Sequence, residues 1–312
     1  MLHNLILGII DNYKYAEIAP FVDSLTKINF VGKVCLFAGP NLNEDVIRNL
    51  LQRNIDVIRY QNEFPYINNP HKDNFPSLPS PIHIYNFRHY IYYNFILHHE
   101  NELKNVLLTD IRDVVFQKDP FDFTMENALY VAMEPKDSPI AIRETNYVWF
   151  NKGYGPAVVE EMKPHDISCA GTTMGPVHHI KSYLFKMLGE INKYKDALNC
   201  ADQAAHNVLL HRNQLKPVVK LYDVNTPIIT VAAMHIASAV KLNAKGLITD
   251  NSGYVVNIIH QYDRQLLLKK IIFKNLYKKR FYYFNRHLLH LYLNFRYKFL
   301  ASIKQQLLLK FK

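Results

Sequence analysis

Asp110 and Asp113 flank Arg112 within residues 105–121, directly after the apolar run Val106-Leu107-Leu108 and before Val114-Val115-Phe116. Two carboxylates set between segments apolar enough to be buried strands carry a large desolvation cost unless a cation meets them. A divalent metal answers that need, because Mg²⁺ or Mn²⁺ takes one or two carboxylates and completes its shell with water and phosphate oxygens. The alternative is a strand-end aspartate closing a turn, with Asp113 paired to an arginine. Positions three apart on a straight strand face opposite ways. A turn at Ile111-Arg112 is therefore required to bring both carboxylates to one side.

The elements around this pair are legible from periodicity. Leu5–Ile10, Lys33–Phe37 and Ile55–Tyr60 read as buried strands, with Asp11-Asn12-Tyr13 as the loop leaving the first. Ile18, Phe21, Val22 and Leu25 recur at helical spacing over 15–28, although Pro20 is an awkward occupant of a helix. Asn43 is placed to cap a helix running to about Arg53, with Glu44 and Asp45 in its first turn. Such a βαβαβ start predicts an α/β fold with a mostly parallel central sheet and helices on both faces. Residues 61–81 form a long Pro- and Asn-rich loop, followed by an aromatic helix over 82–99 that places Arg88 and Tyr92 on one face. Ala128–Met133 is a further strand ending at Glu134, and Trp149 reads as a core residue.

Three more segments have chemistry to offer. Gly171-Thr172-x-x-Gly175 reads as a turn ahead of a helix over Val177–Ile191, aiming backbone N–H groups at a ligand; the His178-His179 pair reads as surface. Asp202-Gln203 opens a helix, where an aspartate suits the dipole. Residues 246–259 alternate like a hairpin about Asp250-Asn251-Ser252-Gly253, and end at His260. A Gly-x-Gly-x-x-Gly dinucleotide loop and a P-loop lysine are both missing.

Taken in order, these features resemble the GT-A-fold, nucleotide-sugar-dependent glycosyltransferases across about residues 4–263. A hydrophobic strand followed by an Asp pair and then Asp119-Pro120-Phe121 is similar to their metal-binding DxD region, with the pair one residue further apart here. The resemblance implies a Rossmann-like GT-A domain and a role for each segment. Asp110, Asp113 and His260 would hold Mn²⁺ or Mg²⁺, and which aspartate binds directly stays open. Asp11, Asn12 and Tyr13 would meet the nucleoside, Arg88 the donor, and Gly171-Thr172 the sugar. Glu134 or Asp202 would serve as the base if the reaction inverts, and Asp202 or Gln203 would lie below the sugar if it retains. A nucleotide-diphosphate sugar would be the donor, and a hydroxyl of a glycan or lipid-linked molecule the acceptor. The rival readings are a sugar-nucleotidyltransferase, disfavoured by the missing Gly-rich loop, and a non-catalytic membrane or carbohydrate-binding protein.

Composition bounds the rest. The 312 residues are 49% hydrophobic, ample for a core, and the three cysteines (Cys35, Cys169, Cys200) form neither a disulfide framework nor a zinc site. They suit a reducing compartment. The net charge of +10 is concentrated at one end: residues 264–312 hold 13 Lys/Arg and no Asp/Glu, leaving 24 basic against 27 acidic side chains before them. A nucleic-acid footprint over residues 1–263 is therefore unsupported. The chain reads as a catalytic domain over 1–263 and a basic helical tail over 264–312. Tyr277, Phe281, Phe284, Leu288 and later apolar residues form one stripe with lysines and arginines off it. Such a helix is expected to lie on an anionic membrane surface, each cation contributing about 1 kcal/mol. The alternative is a helix packed on the domain or on a second subunit. The N-terminus lacks a basic signal-peptide region and no apolar run is long enough to span a bilayer. The expected location is thus cytoplasmic, peripheral on the inner face of a membrane.

Overall fold

The computed structural model describes residues 2–60, 82–135, 139–140, 144–194, 202–231 and 240–277. The chain divides into two compact units between Lys269 and Lys270. Among the described residues every strand lies in the first unit; of the second only residues 270–277 are described, and they are helical. Except for Tyr277, the tail residues of the expected apolar stripe lie outside the described residues.

In chain order the elements are β1 (His3–Ile10), α1 (Tyr15–Lys27), β2 (Lys33–Ala38), α2 (Glu44–Leu51), β3 (Asp56–Arg59), α3 (Ile84–His99), β4 (Leu103–Thr109), β5 (Val114–Phe116) and β6 (Leu129–Met133). Then come α4 (Glu144–Tyr154), α5 (Pro156–Met162), β7 (Ser168–Pro176), α6 (Val177–Ile191), α7 (Asp202–His211), β8 (Val218–Leu221), β9 (Ile228–Thr230), β10 (Lys241–Leu242), β11 (Ile248–Thr249), β12 (Ile258–His260) and α8 (Leu266–Tyr277). The expected helix starts have local causes. Asn43 Oδ1 accepts the Asp45 N–H at 2.7 Å, and Glu17 reaches back to the Lys14 N–H at 2.9 Å. Pro20 is accommodated inside α1.

Seven strands form the main sheet in the order β3-β2-β1-β4-β7-β6-β8, parallel throughout except for β7, which runs against both β4 and β6. Alternate residues feed opposite layers, as the pleat requires. Leu5, Leu7, Val106 and Leu108 join Tyr92, Tyr183 and Leu184 from α3 and α6 on one face. Ile6, Ile10 and Leu107 join Ile18, Phe21 and Val46 from α1 and α2 on the other. A second sheet, β5-β12-β9, belongs to this latter layer through Val114, Phe116 and Ile258. It is tied to α1 where the Phe116 N–H donates to Ser24 Oγ at 3.1 Å.

Two expectations need correction. Gly171-Thr172 is no turn: it lies inside β7, buried, and α6 starts only after Pro176. Because β7 is antiparallel to β4, Pro176 pairs with Asn105 at the amino end of β4, whereas Thr172 pairs with Thr109 at its carboxyl end. The α6 N-terminus thus sits at the end of β4 remote from Asp110. The hairpin over 246–259 is also only partial. Asp250 does close the turn, its Oδ1 accepting from the N–H groups of Ser252 and Tyr254, but β11 pairs with β10 and β12 joins β5 and β9.

Candidate metal centre and cavity

Strand order reverses at β1, with β2 and β3 on one side and β4 on the other. The crevice outside the carboxyl ends of β1 and β4 is therefore a topological switch point, where open α/β sheets bind ligands. Asp110 leaves β4 at this point. Ile111, 2% exposed, plugs back against β1, where Gly8 leaves room: a Cβ on Gly8 would lie 2.1 Å from Ile111 Cδ1. That plug makes the turn the wide Asp spacing demanded, and β5 begins one residue after Asp113.

His260 arrives from the second sheet at the end of β12, paired with Val114. The Asp pair and the histidine therefore meet at the junction of two sheets, not on one. His260 Nε2 stands 3.4 Å from Asp110 Oδ2 and 3.7 Å from Asp113 Oδ1, buried and with no hydrogen-bond partner among the described residues. Its Nδ1 faces Thr230 Oγ1 at 3.4 Å and Cys169 Sγ at 3.7 Å. Each carboxylate turns its second oxygen to a guanidinium. Arg88 Nη1 donates to Asp110 Oδ1 at 2.5 Å, and Arg264 Nη2 lies 3.6 Å from Asp113 Oδ2, with Arg112 at 3.9 Å.

Electrostatics follow this geometry. Burial opposes ionisation of Asp110, but Arg88 and His260 outweigh it and pull its pKa down to about 2. Burial raises the Asp113 pKa, against the pull of His260 and with a further push from Asp110. Burial also disfavours the His260 imidazolium, yet Cys169, Asp110 and Asp113 hold its pKa well above the ordinary value. The shifts of Asp110 and His260 are thus mutual, the charge of each favouring that of the other.

The donor set fits a divalent cation. Ligand atoms of Asp110, Asp113 and His260 all lie within 4.8 Å of one another. The space between them is kept open by Gly171, where a Cβ would come 2.5 Å from His260 Cε1 and 2.6 Å from Asp110 Oδ2. Two carboxylate oxygens and one imidazole nitrogen suit Mn²⁺ or Mg²⁺ with positions left for water or phosphate.

A cavity of about 550 Å³ opens above this cluster. Tyr13 lines it, with burial pushing its pKa up to about 12, so its ring stays a neutral phenol; Asp11 and Asn12 are not among the lining residues. Asp11 instead accepts the Asn41 N–H at 3.2 Å. Arg88, Glu134, Gly171, Asp202 and Gln203 line the cavity, whereas Thr172 is fully buried behind it. Trp149, read from sequence as core, is half-buried and lines the wall. Asn146, Cys169, Gln261 and Arg264 are lining residues that the sequence did not single out. His83 and Tyr85, beside Arg88 on the same helix start, also contribute.

The Asp202-Gln203 pair does two separate jobs. Arg88 Nη2 donates to Asp202 Oδ2 at 2.5 Å, so one buried guanidinium bridges Asp202 and Asp110, while Asp202 Oδ1 accepts the Gln203 N–H at 2.8 Å. Gln203 repairs β7. Opposite β6, the register jumps from Val131↔Thr173 to Ala132↔Cys169, so residues 170–172 bulge away from β6 while Thr172 still pairs with β4. Gln203 accepts the Ala170 N–H and donates to the Ser168 carbonyl, each at 2.9 Å. Asn207 completes the staple, accepting the Ser168 N–H and donating to its carbonyl at 2.8 Å each. Comparison with protein-family models gives no match for this chain, and comparison with curated proteins gives none either.

Proposed function

We propose that the protein is a metal-dependent glycosyltransferase of the GT-A type, moving a sugar from a nucleotide-diphosphate sugar to an acceptor hydroxyl. The observation that carries this reading is the convergence of Asp110, Asp113 and His260 at the switch-point crevice, with Arg112 and Arg264 at the same cavity. When bound, Mn²⁺ or Mg²⁺ neutralises charge on the diphosphate leaving group. Arg112 and Arg264 add fixed positive charge beside it, and the Tyr13 ring offers a face to the nucleoside base.

The new bond joins the acceptor oxygen to the anomeric carbon as the bond from that carbon to the diphosphate oxygen breaks. The acceptor proton goes to a carboxylate, a contribution of roughly 10²–10⁴-fold. Asp202 has both oxygens engaged, by Arg88 and by the Gln203 N–H. Glu134, which lines the same cavity, is assigned as the base, and Asp202 holds Arg88 and through it Asp110. Gln203, with its amide spent on β7, shapes the floor.

The 13 cations of residues 264–312 support a further part of the reading, contact of the tail with an anionic membrane bearing the acceptor. Among the described residues no helix is long and apolar enough to cross a membrane.

The test is release of nucleoside diphosphate from a panel of nucleotide-sugars with Mn²⁺, with and without EDTA, in the wild type and in Glu134→Gln. Metal-dependent release, lost with EDTA and at least about 100-fold slower in the variant, is expected. Formation of a nucleoside triphosphate from a nucleotide-sugar and pyrophosphate would instead establish the nucleotidyltransferase, and binding without turnover the non-catalytic protein.

A further inference from the structure

Asn146 and Trp149 line the cavity but have no part in the transfer chemistry assigned to Glu134 and the metal cluster. They lie three positions apart on α4 and so share a face, with Thr145 beside them. α4 packs against α7, so this wall adjoins the end of the cavity formed by Asp202 and Gln203. Trp149 packs partly against the cluster of Ile140, Phe150 and Val159, and its carbonyl accepts the Tyr194 hydroxyl at 2.7 Å, fixing that turn of the helix. Asn146 is only 7% exposed, and its Oδ1 has no hydrogen-bond partner among the described residues. A buried amide oxygen without a donor is unfavourable, and a small turn of the Asn146 side chain towards the cavity it lines lets a ligand hydroxyl supply the bond.

A half-buried indole one helical turn from a buried amide is an amphipathic surface, apolar in its body and polar at its rim. A pyranose ring has the matching character, with C–H groups on one face and hydroxyls around its edge. We propose that Thr145, Asn146 and Trp149 form a subsite for the pyranose ring of the acceptor, stacked on Trp149 with a hydroxyl donating to Asn146 Oδ1. The assignment to the acceptor rests on the transferase reading, which gives Glu134, in the lining of the same cavity, the acceptor's proton. The acceptor is then a glycan or glycolipid, not a protein side chain.

Trp149 is the only tryptophan in the chain, so its emission reports on this wall alone. Full-length protein is titrated with methyl glycosides and disaccharides of glucose, galactose, mannose and N-acetylglucosamine, with sorbitol as the acyclic control. In parallel, a nucleoside diphosphate is titrated calorimetrically with Mn²⁺. We expect a saturable emission change with at least one pyranoside, none with sorbitol, and at least fivefold weaker binding in Asn146→Ala, or in Asn146→Ser if the alanine variant does not fold. No emission change with any pyranoside, while the nucleoside diphosphate binds with Mn²⁺, overturns the subsite and leaves the donor reading standing. A pyranoside that binds at Trp149 in a protein that binds no nucleotide keeps the subsite and removes the transferase. Equal affinity in the wild type and the Asn146 variant overturns the hydroxyl contact on which the assignment depends.

Discussion

Two fully buried histidines, His260 and His206, sit in neighbouring polar clusters and are opposite in kind. His206 has both ring nitrogens satisfied, Nε2 by Ser168 Oγ at 2.8 Å and Nδ1 by Tyr183 OH at 2.9 Å. Burial pushes its pKa down to about 3. His260 turns Nε2 to two carboxylates without a hydrogen bond, and its pKa is raised despite burial. A serine, histidine and tyrosine in contact look more like catalytic machinery than a lone histidine at a strand end. Yet the first set is closed on itself beneath the sheet, and the second borders the Gly171 gap. What sets His260 apart is the direction of its free nitrogen, towards two carboxylates and the Gly171 gap, and not the mere presence of a reactive residue type.

Substitutions can attack this contrast at several strengths. The largest effect should come from His206→Ala, which removes the partner of two buried hydroxyls and leaves a cavity. It should lower unfolding free energy by about 2–4 kcal/mol in urea titrations, with Mn²⁺ affinity kept in whatever remains folded. A loss of metal binding at full stability would reverse the roles of the two histidines. Asp113→Asn and His260→Ala should each weaken Mn²⁺ binding at least about 100-fold by calorimetry, close to 2.7 kcal/mol, with the circular dichroism spectrum unchanged. Survival of tight binding in Asp113→Asn would make Asp110 the principal ligand.

A smaller effect is expected from Gly171→Ala, whose methyl group occupies the gap between Asp110 and His260. About tenfold weaker Mn²⁺ binding should result, with a loss of about 1–3 kcal/mol in stability as the buried His260 ring gives way. Mn²⁺ electron paramagnetic resonance reads this directly, and undiminished binding would place the ion elsewhere.

The smallest and sharpest contrast is in pH dependence, at most about 1.4 kcal/mol per pH unit for each group. His206 is depressed from 6.5 to about 3, so the unfolded chain binds its proton first. Its contribution to stability is complete above pH 6.5 and is lost as pH falls towards 3. His260 is raised, so in EDTA its contribution is complete below pH 6.5 and is lost as pH rises through its folded pKa. Replacing His206 with Gln should flatten the acid side of the stability profile, and replacing His260 with Gln the alkaline side. Equal flattening by both would mean that the two environments do not differ.

Local signals carried the sequence reading a long way. The Asn43 cap, the start of α7 at Asp202 and the span of α6 over Val177–Ile191 all follow from spacing and end residues. His260, far along the chain from Asp110 and Asp113, does come together with them. What was not legible depends on distant partners. Val114–Phe116 and the run ending at His260 read as strands, but at three residues each they do not tell that they pair with each other and with β9 in a second sheet. Gly171-Thr172-x-x-Gly175 read as a turn because the pairing that makes it part of a strand lies with β4 and β6. Arg88 stood out as a cation, but it bridges Asp110 to Asp202, which lies 114 positions beyond Arg88 itself. Trp149 looked like core because its neighbours along α4 say nothing of the cavity on its other side.

The bulge in β7 has a dynamic consequence. In a seven-stranded sheet the amides slowest to exchange with deuterium ordinarily lie on the central strands. Here residues 170–172, on a strand with neighbours on both sides, have lost their β6 partner, and Ala170 hangs on the Gln203 side chain alone. Opening one rotamer of Gln203 frees that amide without unfolding the sheet. The middle of the molecule should therefore contain a small patch that takes up deuterium faster than the strands around it, directly beneath the cavity. A ligand that pins Gly171 against Asp110 should slow this patch first, making it a readout of occupancy that needs no turnover.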